Sequence, residues 1–86
     1  MDPYKILKYP LATEKAVRLM EAENKLIFIV SRKSKKQEIK KAIEEAFKVK
    51  VLKVNTFIDN KGEKKAYILL SIDTPAIDVA TQLGLM

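Results

Sequence analysis

The pattern of hydrophobic and polar positions along the chain predicts alternating strands and helices. Ile6 to Tyr9 is a short apolar run that ends at Pro10. Because proline cannot donate a ladder hydrogen bond, this run is predicted to be an edge strand. Residues 26–30 are apolar at every position, whereas a strand with one solvated face would alternate. We therefore predict a central strand that is covered on both faces.

A second pair of strands is predicted in the C-terminal half. Residues 49–58 are rich in β-branched side chains, but their alternation is imperfect. Leu52, Val54, Thr56 and Ile58 share one predicted face, and Val51, Lys53, Asn55 and Phe57 share the other. We expect the second face to be partly covered or partly used for binding. The polar stretch 59–63 predicts a hairpin connection, after which the alternating positions are Ala66, Ile68, Leu70 and Ile72.

Helices are predicted from capping residues and from apolar positions three or four residues apart. Thr13 is the predicted N-cap of the first helix, which ends near Asn24. Ser34 followed by Gln37 matches a capping box at the start of the second helix. The buried stripe of this second helix is predicted to be Ile39, Ala42, Ile43, Ala46 and Phe47.

A third helix completes the chain and sets the order β-α-β-α-β-β-α. It is predicted to start at Thr74–Pro75, with Asp78 completing a capping pair, and to stop at Gly84. A right-handed crossover through the second helix makes the central strand parallel to the 49–58 strand. The hairpin partner can then lie between them, antiparallel to both, in a split β-α-β arrangement. We predict one domain over residues 1–86 with an α+β fold, in which helices pack on a four-stranded, mostly antiparallel sheet that has room for them on both sides.

The charge of the chain is concentrated in one segment. Residues 32–53 hold nine Lys or Arg against Glu38, Glu44 and Glu45, and this excess equals the net charge of +6. Elsewhere eight bases and eight acids cancel. A field confined to one loop, helix and strand indicates an extended polyanion as the partner.

Most catalytic chemistry is missing from the sequence. The chain has no histidine and no cysteine, and Gly62 and Gly84 are isolated rather than part of a phosphate loop. Glu44 and Glu45 are adjacent on a helix and do not face each other, so we expect them to balance nearby lysines. We predict no enzyme activity, no metal, no cofactor and no small-molecule substrate. Without a long apolar run or a signal-peptide core, we expect a soluble, intracellular protein that does not insert into membranes.

The loop before the second helix is the first candidate binding segment. Its four cations are Arg32, Lys33, Lys35 and Lys36. Cations at a helix N-terminus are repelled by the positive end of the macrodipole, and a bound anion would offset this repulsion. A solvated helix start is the alternative interpretation, but we favour phosphate binding.

Other candidates lie on the hairpin and its strands. Lys61, Lys64 and Lys65 can reach a groove, although charged hairpin tips are also common on surfaces. Asn55 and Thr56 are polar in an otherwise apolar strand, which indicates either an edge-strand surface or hydrogen bonding to sugar or phosphate. The aromatic residues that could stack on unpaired bases are Tyr4, Tyr9, Phe57 and Tyr67. For Phe57 and Tyr67, packing on the sheet is an equal alternative.

Five segments occur in the order and at the spacing of a known family. They are PLATEKA at 10–16, NKLIFIV at 24–30, KQEIK at 36–40 with AFKVKV at 46–51, VNT at 54–56 and GEKKAY at 62–67. Together they resemble ribosomal protein L23 of the large ribosomal subunit, over about residues 4–83. The resemblance implies an α/β sandwich with strand order 1-2-4-3. It also implies binding to large-subunit rRNA at the rim of the polypeptide exit tunnel, beside ribosomal protein L29. The signal recognition particle and the protein-conducting channel are the implied transient partners.

This resemblance and the charge pattern together define the expected rRNA contacts. The candidate residues are Thr13, Lys15, Arg32, Lys33, Lys35, Lys36, Lys40, Asn55, Thr56, Lys61, Lys64 and Lys65. The hairpin connection has only five residues, whereas bacterial relatives carry a long arm there, and the long basic N-terminal extension of eukaryotic relatives is not seen. The chain therefore resembles an archaeal-type member, expected in the cytoplasm within the large subunit. The alternatives are a free-standing RNA-binding or protein-docking module of the same fold and, third, a small enzyme of ferredoxin-like shape.

The last segment of the chain differs in charge from the rest. Residues 66–86 contain Asp73 and Asp78 but no Lys or Arg. We expect this segment to face away from rRNA, toward solvent or a docking factor. Its apolar end, formed by Leu83, Leu85 and Met86, is expected either to pack on the sheet or to remain available to a partner.

Overall fold

The computed structural model describes the backbone of residues 3–84 and the side chains of residues 5–84. Leu85, Met86 and the side chain of Tyr4, which entered the predictions above, lie outside this range. The elements in chain order are α1 (Pro3–Ile6), β1 (Leu7–Pro10), α2 (Glu14–Glu23), β2 (Lys25–Val30), α3 (Lys36–Phe47), β3 (Val51–Ile58), β4 (Lys64–Leu70) and α4 (Ala76–Gln82). The predicted α+β class is confirmed.

The four strands form one antiparallel sheet in the order β1-β2-β4-β3. β4 lies between β2 and β3 and is antiparallel to both, so β2 and β3 run parallel with α3 as their crossover. This is the predicted split β-α-β arrangement and the predicted strand order. Ile68 is opposite Leu26 on one side and Val54 on the other, which fixes the register across the sheet centre.

The main core lies between one face of the sheet and the apolar stripe of α3. Ile39, Ala42 and Ile43 are fully buried, and Ala46 and Phe47 pack against the same cluster, as predicted. The strand residues of this cluster are Leu7, Leu26, Phe28, Val30, Val51, Val54, Ala66, Ile68 and Leu70. Each large side chain buried there contributes about 1.5–3 kcal/mol to stability.

Both faces of β2 are buried, as its uninterrupted apolar sequence predicts. Leu26, Phe28 and Val30 belong to the main core. Ile27 and Ile29 alternate with them, point to the opposite face, and are also buried. The central position of β2 and its coverage on both faces are therefore confirmed.

The C-terminal strands depart from the predicted faces at two positions. The β3–β4 register shifts between Val51 and Lys53, so that Val51 joins Val54 in the core and Leu52 is exposed. A bulge inserts one extra residue and reverses the alternation, which the sequence pattern does not reveal. Ile72 was predicted to be an alternating position of the returning strand, but β4 ends at Leu70 and Ile72 is 90% exposed in the following loop.

The cap of α3 is shifted by one residue from the prediction. Lys35 is the N-cap, and Glu38 Oε1 accepts a hydrogen bond from its backbone N at 2.9 Å. The predicted capping pair of Ser34 and Gln37 was wrong, because the backbone N and hydroxyl of Ser34 both donate to the carbonyl of Ser31. Ser34 thus closes the turn before the helix.

Thr13 caps α2 as predicted, since its Oγ1 accepts a hydrogen bond from Ala16 N. The predicted capping pair of Thr74 and Asp78 was wrong. The Thr74 hydroxyl donates to Ser71 O, and the first backbone N of α4, that of Ala76, donates to Asn24 Oδ1. A residue distant in sequence supplies this cap.

Two further local features were not predicted. The helical turn α1 precedes β1, and four residues are too few to show a helical period. Glu44 was expected to balance lysines on its own helix. Its Oε2 instead accepts a hydrogen bond from Val51 N at 3.1 Å, at the start of β3.

Candidate nucleic-acid interface

The loop between β2 and α3 presents a group of exposed cations. Arg32, Lys33, Lys35 and Lys36 are all exposed, and Lys36 is the first residue of α3. Within the range described by the structure, none of them forms a salt bridge. Glu38, the acid in the first turn of α3, is used to cap the backbone of Lys35. The four cations therefore have no salt-bridge partner among the described residues, and Glu38 offsets only part of their charge.

The hairpin between β3 and β4 is shaped by Asp59. Its Oδ1 accepts hydrogen bonds from the backbone N of Lys61 and of Glu63, at 2.9 and 3.0 Å. Gly62 adopts a φ of +82°, a left-handed conformation that costs other residues about 1 kcal/mol or more. This turn leaves the side chain of Lys61 exposed at the tip.

The fold brings the loop and the hairpin together. Lys64 Nζ donates a hydrogen bond to the carbonyl oxygen of Ser34 at 2.6 Å. The Arg32 guanidinium lies beside Gly62, with Nη1 3.7 Å from where a Cβ on that glycine would be. We call the joined set the basic cluster; its members are Arg32, Lys33, Lys35, Lys36, Lys61 and Lys64. Residues about thirty positions apart thus form one positive surface at one end of the sheet.

A cleft of about 300 Å³ opens beside the basic cluster. Thr13, Lys61 and Lys65, three of the predicted contact residues, line it together with Asp59 and Glu63. Lys65 Nζ lies 3.8 Å from Asp59 Oδ2, so part of its charge is balanced. The remaining lining residues are Leu11, Ile29 and Asn60.

Tyr9 is fixed next to this cleft by a hydrogen bond from its hydroxyl to Glu63 Oε2, at 2.7 Å. This bond, more than the nearby negative charges of Glu63 and Asp59, raises the pKa of Tyr9 above its usual value. The ring is 46% exposed but its hydroxyl is engaged. Tyr9 therefore connects the edge strand β1 to the hairpin.

Asn55 and Thr56 are separated by the pleat of β3. Asn55 is exposed and lies opposite Tyr67, whereas Thr56 is half-buried and lies opposite the fully buried Ala66. They point to opposite faces of the sheet, so they cannot contact the same group. Lys53 and Phe57 share the exposed face of Asn55. Phe57 was predicted either to stack on a base or to pack on the sheet, whereas Lys53 was not among the predicted contacts. The sequence signal for this shared face was the spacing of two residues from Lys53 to Asn55 and from Asn55 to Phe57.

Lys15 and Lys40 are exposed on helices rather than in the basic cluster. Lys15 is in the first turn of α2, two residues after Thr13. Lys40 is one turn beyond Lys36 on α3 and extends the positive charge along that helix.

The described fold and its basic surface define a small α+β protein whose charge is gathered at one end of an antiparallel sheet. A family model described as Ribosomal protein L23 matches residues 5–69, more than half of the chain. The chain belongs to this family. Membership implies a structural protein of the large ribosomal subunit that associates with rRNA and other ribosomal proteins. Among the helices of residues 3–84, none has the length and apolar character needed to cross a membrane.

Proposed function

We propose that the protein binds large-subunit rRNA through the basic cluster. The observation that carries this proposal is the contact of Lys64 with Ser34, which joins the cations of the hairpin to those at the start of α3. The result is one continuous positive surface rather than two independent loops. A surface of this kind suits the regularly spaced phosphates of a folded RNA.

The remaining candidate residues add contacts of other kinds. Thr13 lines the cleft next to Lys61 and Lys65, so RNA bound to the cluster passes close to it. Lys15 and Lys40 extend the phosphate contacts along α2 and α3. Asn55 and Thr56 serve different faces, and Asn55 is the better placed of the two because it is exposed. RNA shape, more than groove sequence, selects the site.

We further propose that the protein lies at the rim of the polypeptide exit tunnel, beside ribosomal protein L29, in cytoplasmic ribosomes. The five-residue hairpin connection supports an archaeal-type member without a tunnel arm. The segment from Ala66 onward carries no base and is proposed to face the signal recognition particle or the protein-conducting channel. Leu83 is half-buried against the core, which favours packing over availability for this residue.

The proposal is tested by salt-dependent binding to fragments of large-subunit rRNA. The double variant Lys33→Gln/Lys35→Gln removes two charges from the basic cluster. Its slope of log K against log salt should fall by roughly 0.7–0.9 for each lost phosphate contact. The matched control, Lys48→Gln/Lys50→Gln, removes two charges at the other end of α3 and should retain the wild-type slope.

Co-sedimentation with large subunits gives the second measurement. The protein should remain bound after a high-salt wash, whereas a free-standing module would be released. A wild-type salt slope near zero, or equal losses in both double variants, would contradict binding through the basic cluster.

A further inference from the structure

The sheet face opposite the main core exposes a pair of aromatic rings. Phe57 and Tyr67 lie on the neighbouring strands β3 and β4, with ring centroids 5.2 Å apart and planes tilted by 35°. Phe57 is 46% exposed although it lies in a regular strand. We call this surface the aromatic face; its residues are Lys53, Asn55, Phe57, Lys65 and Tyr67.

Cations and one amide surround the two rings. Lys65 is directly opposite Phe57, and its Nζ lies 6.0 Å from the ring centroid, within range of a cation–π contact. Asn55 is directly opposite Tyr67, and Lys53 follows on the same face. The salt bridge of Lys65 with Asp59 and the packing of the rings hold these groups in place. The aromatic face is therefore a rigid ring surface with positive charge on two sides.

We propose that the aromatic face binds one unpaired nucleotide of RNA, with its base stacked on Phe57. Asn55 hydrogen-bonds the edge of this base, and Lys53 and Lys65 contact the adjoining phosphates. Flanking cations favour a polyanion over an apolar peptide, because a peptide would desolvate Lys53, which has no salt bridge among the described residues, without giving it a partner. A base in a duplex is stacked between its neighbours, so the nucleotide comes from a loop, bulge or strand end. This inference rests on the proposed binding of rRNA and names the part of the RNA that this face recognises.

The aromatic face is also close to the basic cluster. Lys65 belongs to the face and lines the cleft that Lys61 also lines. A single RNA strand leaving a duplex on the basic cluster can therefore reach Phe57 across the cleft. The two surfaces make different kinds of contact, one with phosphates and one with a base, and variants can separate them.

The test compares Phe57→Leu with the wild type on two RNA probes. One probe is a stem-loop fragment of large-subunit rRNA, and the other is a blunt duplex with the same stem. Loss of base stacking should weaken stem-loop binding by roughly 5- to 150-fold. Duplex binding and the salt slope should be unchanged, because no phosphate contact is lost. Asn55→Ala should likewise weaken stem-loop binding and spare the duplex. Leu52→Ala, which truncates an exposed apolar residue of the same strand, is the matched control and should bind both probes normally.

A second variant gives a direct optical signal. The chain has no tryptophan, so Phe57→Trp introduces a single tryptophan, which can be excited apart from the three tyrosines, while keeping an aromatic surface. Its fluorescence should be quenched by the stem-loop and not by the duplex. An abasic substitution at the stacked position in the loop should abolish the quenching. Thermal melting of each variant verifies that the fold is intact.

The outcomes separate this inference from the proposed function. If the basic-cluster variants lose affinity but Phe57→Leu binds the stem-loop normally, rRNA binding stands and the stacking site is wrong. If Phe57→Leu weakens both probes equally, the effect is not base stacking and the inference is overturned. If the stem-loop does not quench Phe57→Trp, stacking of a loop base at this position is overturned. If the basic-cluster variants have no effect on binding, the proposed function itself fails.

Discussion

Asn24 Oδ1 accepts a hydrogen bond from the backbone N of Ala76 at 2.6 Å, across 52 positions of the sequence. The same side chain donates through Nδ2 to the carbonyls of Leu70 and Ser71, at 3.2 and 3.0 Å. Its backbone ends α2 in the left-handed region, with φ 57° and ψ 38°. One residue therefore joins the end of α2, the end of β4 and the start of α4.

Replacement of Asn24 should lower the free energy of unfolding, and the loss should be larger when the new residue tolerates a left-handed backbone poorly. Asn24→Gly removes the side-chain hydrogen bonds, which we expect to cost about 2 kcal/mol. Asn24→Ala loses the same bonds and must also place a Cβ at positive φ, so it should cost about 1 kcal/mol more. Urea denaturation, monitored by circular dichroism, measures the stability of both variants. Equal stability of the two variants would show that the left-handed backbone does not contribute.

Replacing Lys64 should lower stability more than replacing Lys61 at the hairpin tip. Lys64→Met keeps the apolar stem but leaves the Ser34 carbonyl without this donor, which should cost about 1 kcal/mol. Lys61→Met removes the same charge from an exposed side chain and should change stability by less than about 0.5 kcal/mol. Thermal unfolding of the two variants at equal salt makes the comparison. A smaller effect of Lys64→Met than of Lys61→Met would contradict the structural role of this contact.

The Tyr9–Glu63 hydrogen bond should make the stability of the protein depend on pH in the alkaline range. Because the pKa of Tyr9 is raised in the folded state, the stabilisation is present below the unfolded pKa of about 10. It is lost as the pH rises through the higher folded pKa, where a tyrosinate forms beside a carboxylate. Absorbance at the tyrosinate band should show one tyrosine titrating earlier in Glu63→Ala than in the wild type. Tyr9→Phe should remove that transition, and a surviving transition would assign it to another tyrosine.

The charge of α4 should affect docking factors and not assembly. Asp78 is exposed in the first turn of α4, on the segment that contains no base. Ribosomes that carry Asp78→Lys should assemble normally, while the affinity for the signal recognition particle or the channel changes. Sucrose-gradient profiles and factor-binding assays measure the two properties. Crosslinks from residues 75–84 mainly to rRNA would reject this orientation.

Sequence patterns predicted the elements that are long or strictly periodic. The stripe of α3 and the continuous apolar run of β2 specify their burial directly, and the split β-α-β topology follows from their order. The bulge after Val51 and the cap supplied by Asn24 were not predictable, because both depend on contacts made after folding. Local rules located the cap at Ser34, one residue before the true cap at Lys35, because the hydroxyl of Ser34 donates to Ser31 O in the turn that precedes the helix.

In the candidate site, too, local sequence patterns predicted some features, while others depend on contacts made only after folding. Charge clustering identified the cations in the loop and the hairpin, but their meeting depends on the pairing of Val30 with Lys64, which no local pattern contains. Asn55 and Thr56 were grouped because they are adjacent in sequence, and the pleat of β3 separates them. Lys53 was missed as a contact, and base stacking and sheet packing stayed equal alternatives for Phe57, because an imperfect alternation does not reveal which face remains open.

The contact between Lys64 and Ser34 also determines when the proposed binding surface becomes ordered. The hairpin and the loop are held together by folding, before any RNA is present. Little backbone entropy then has to be lost during association, because the hairpin and the loop are already joined, although the exposed lysine side chains still have to be ordered. A surface of this kind can capture RNA on first encounter, with a rate governed by electrostatic attraction and not by a search among loop conformations.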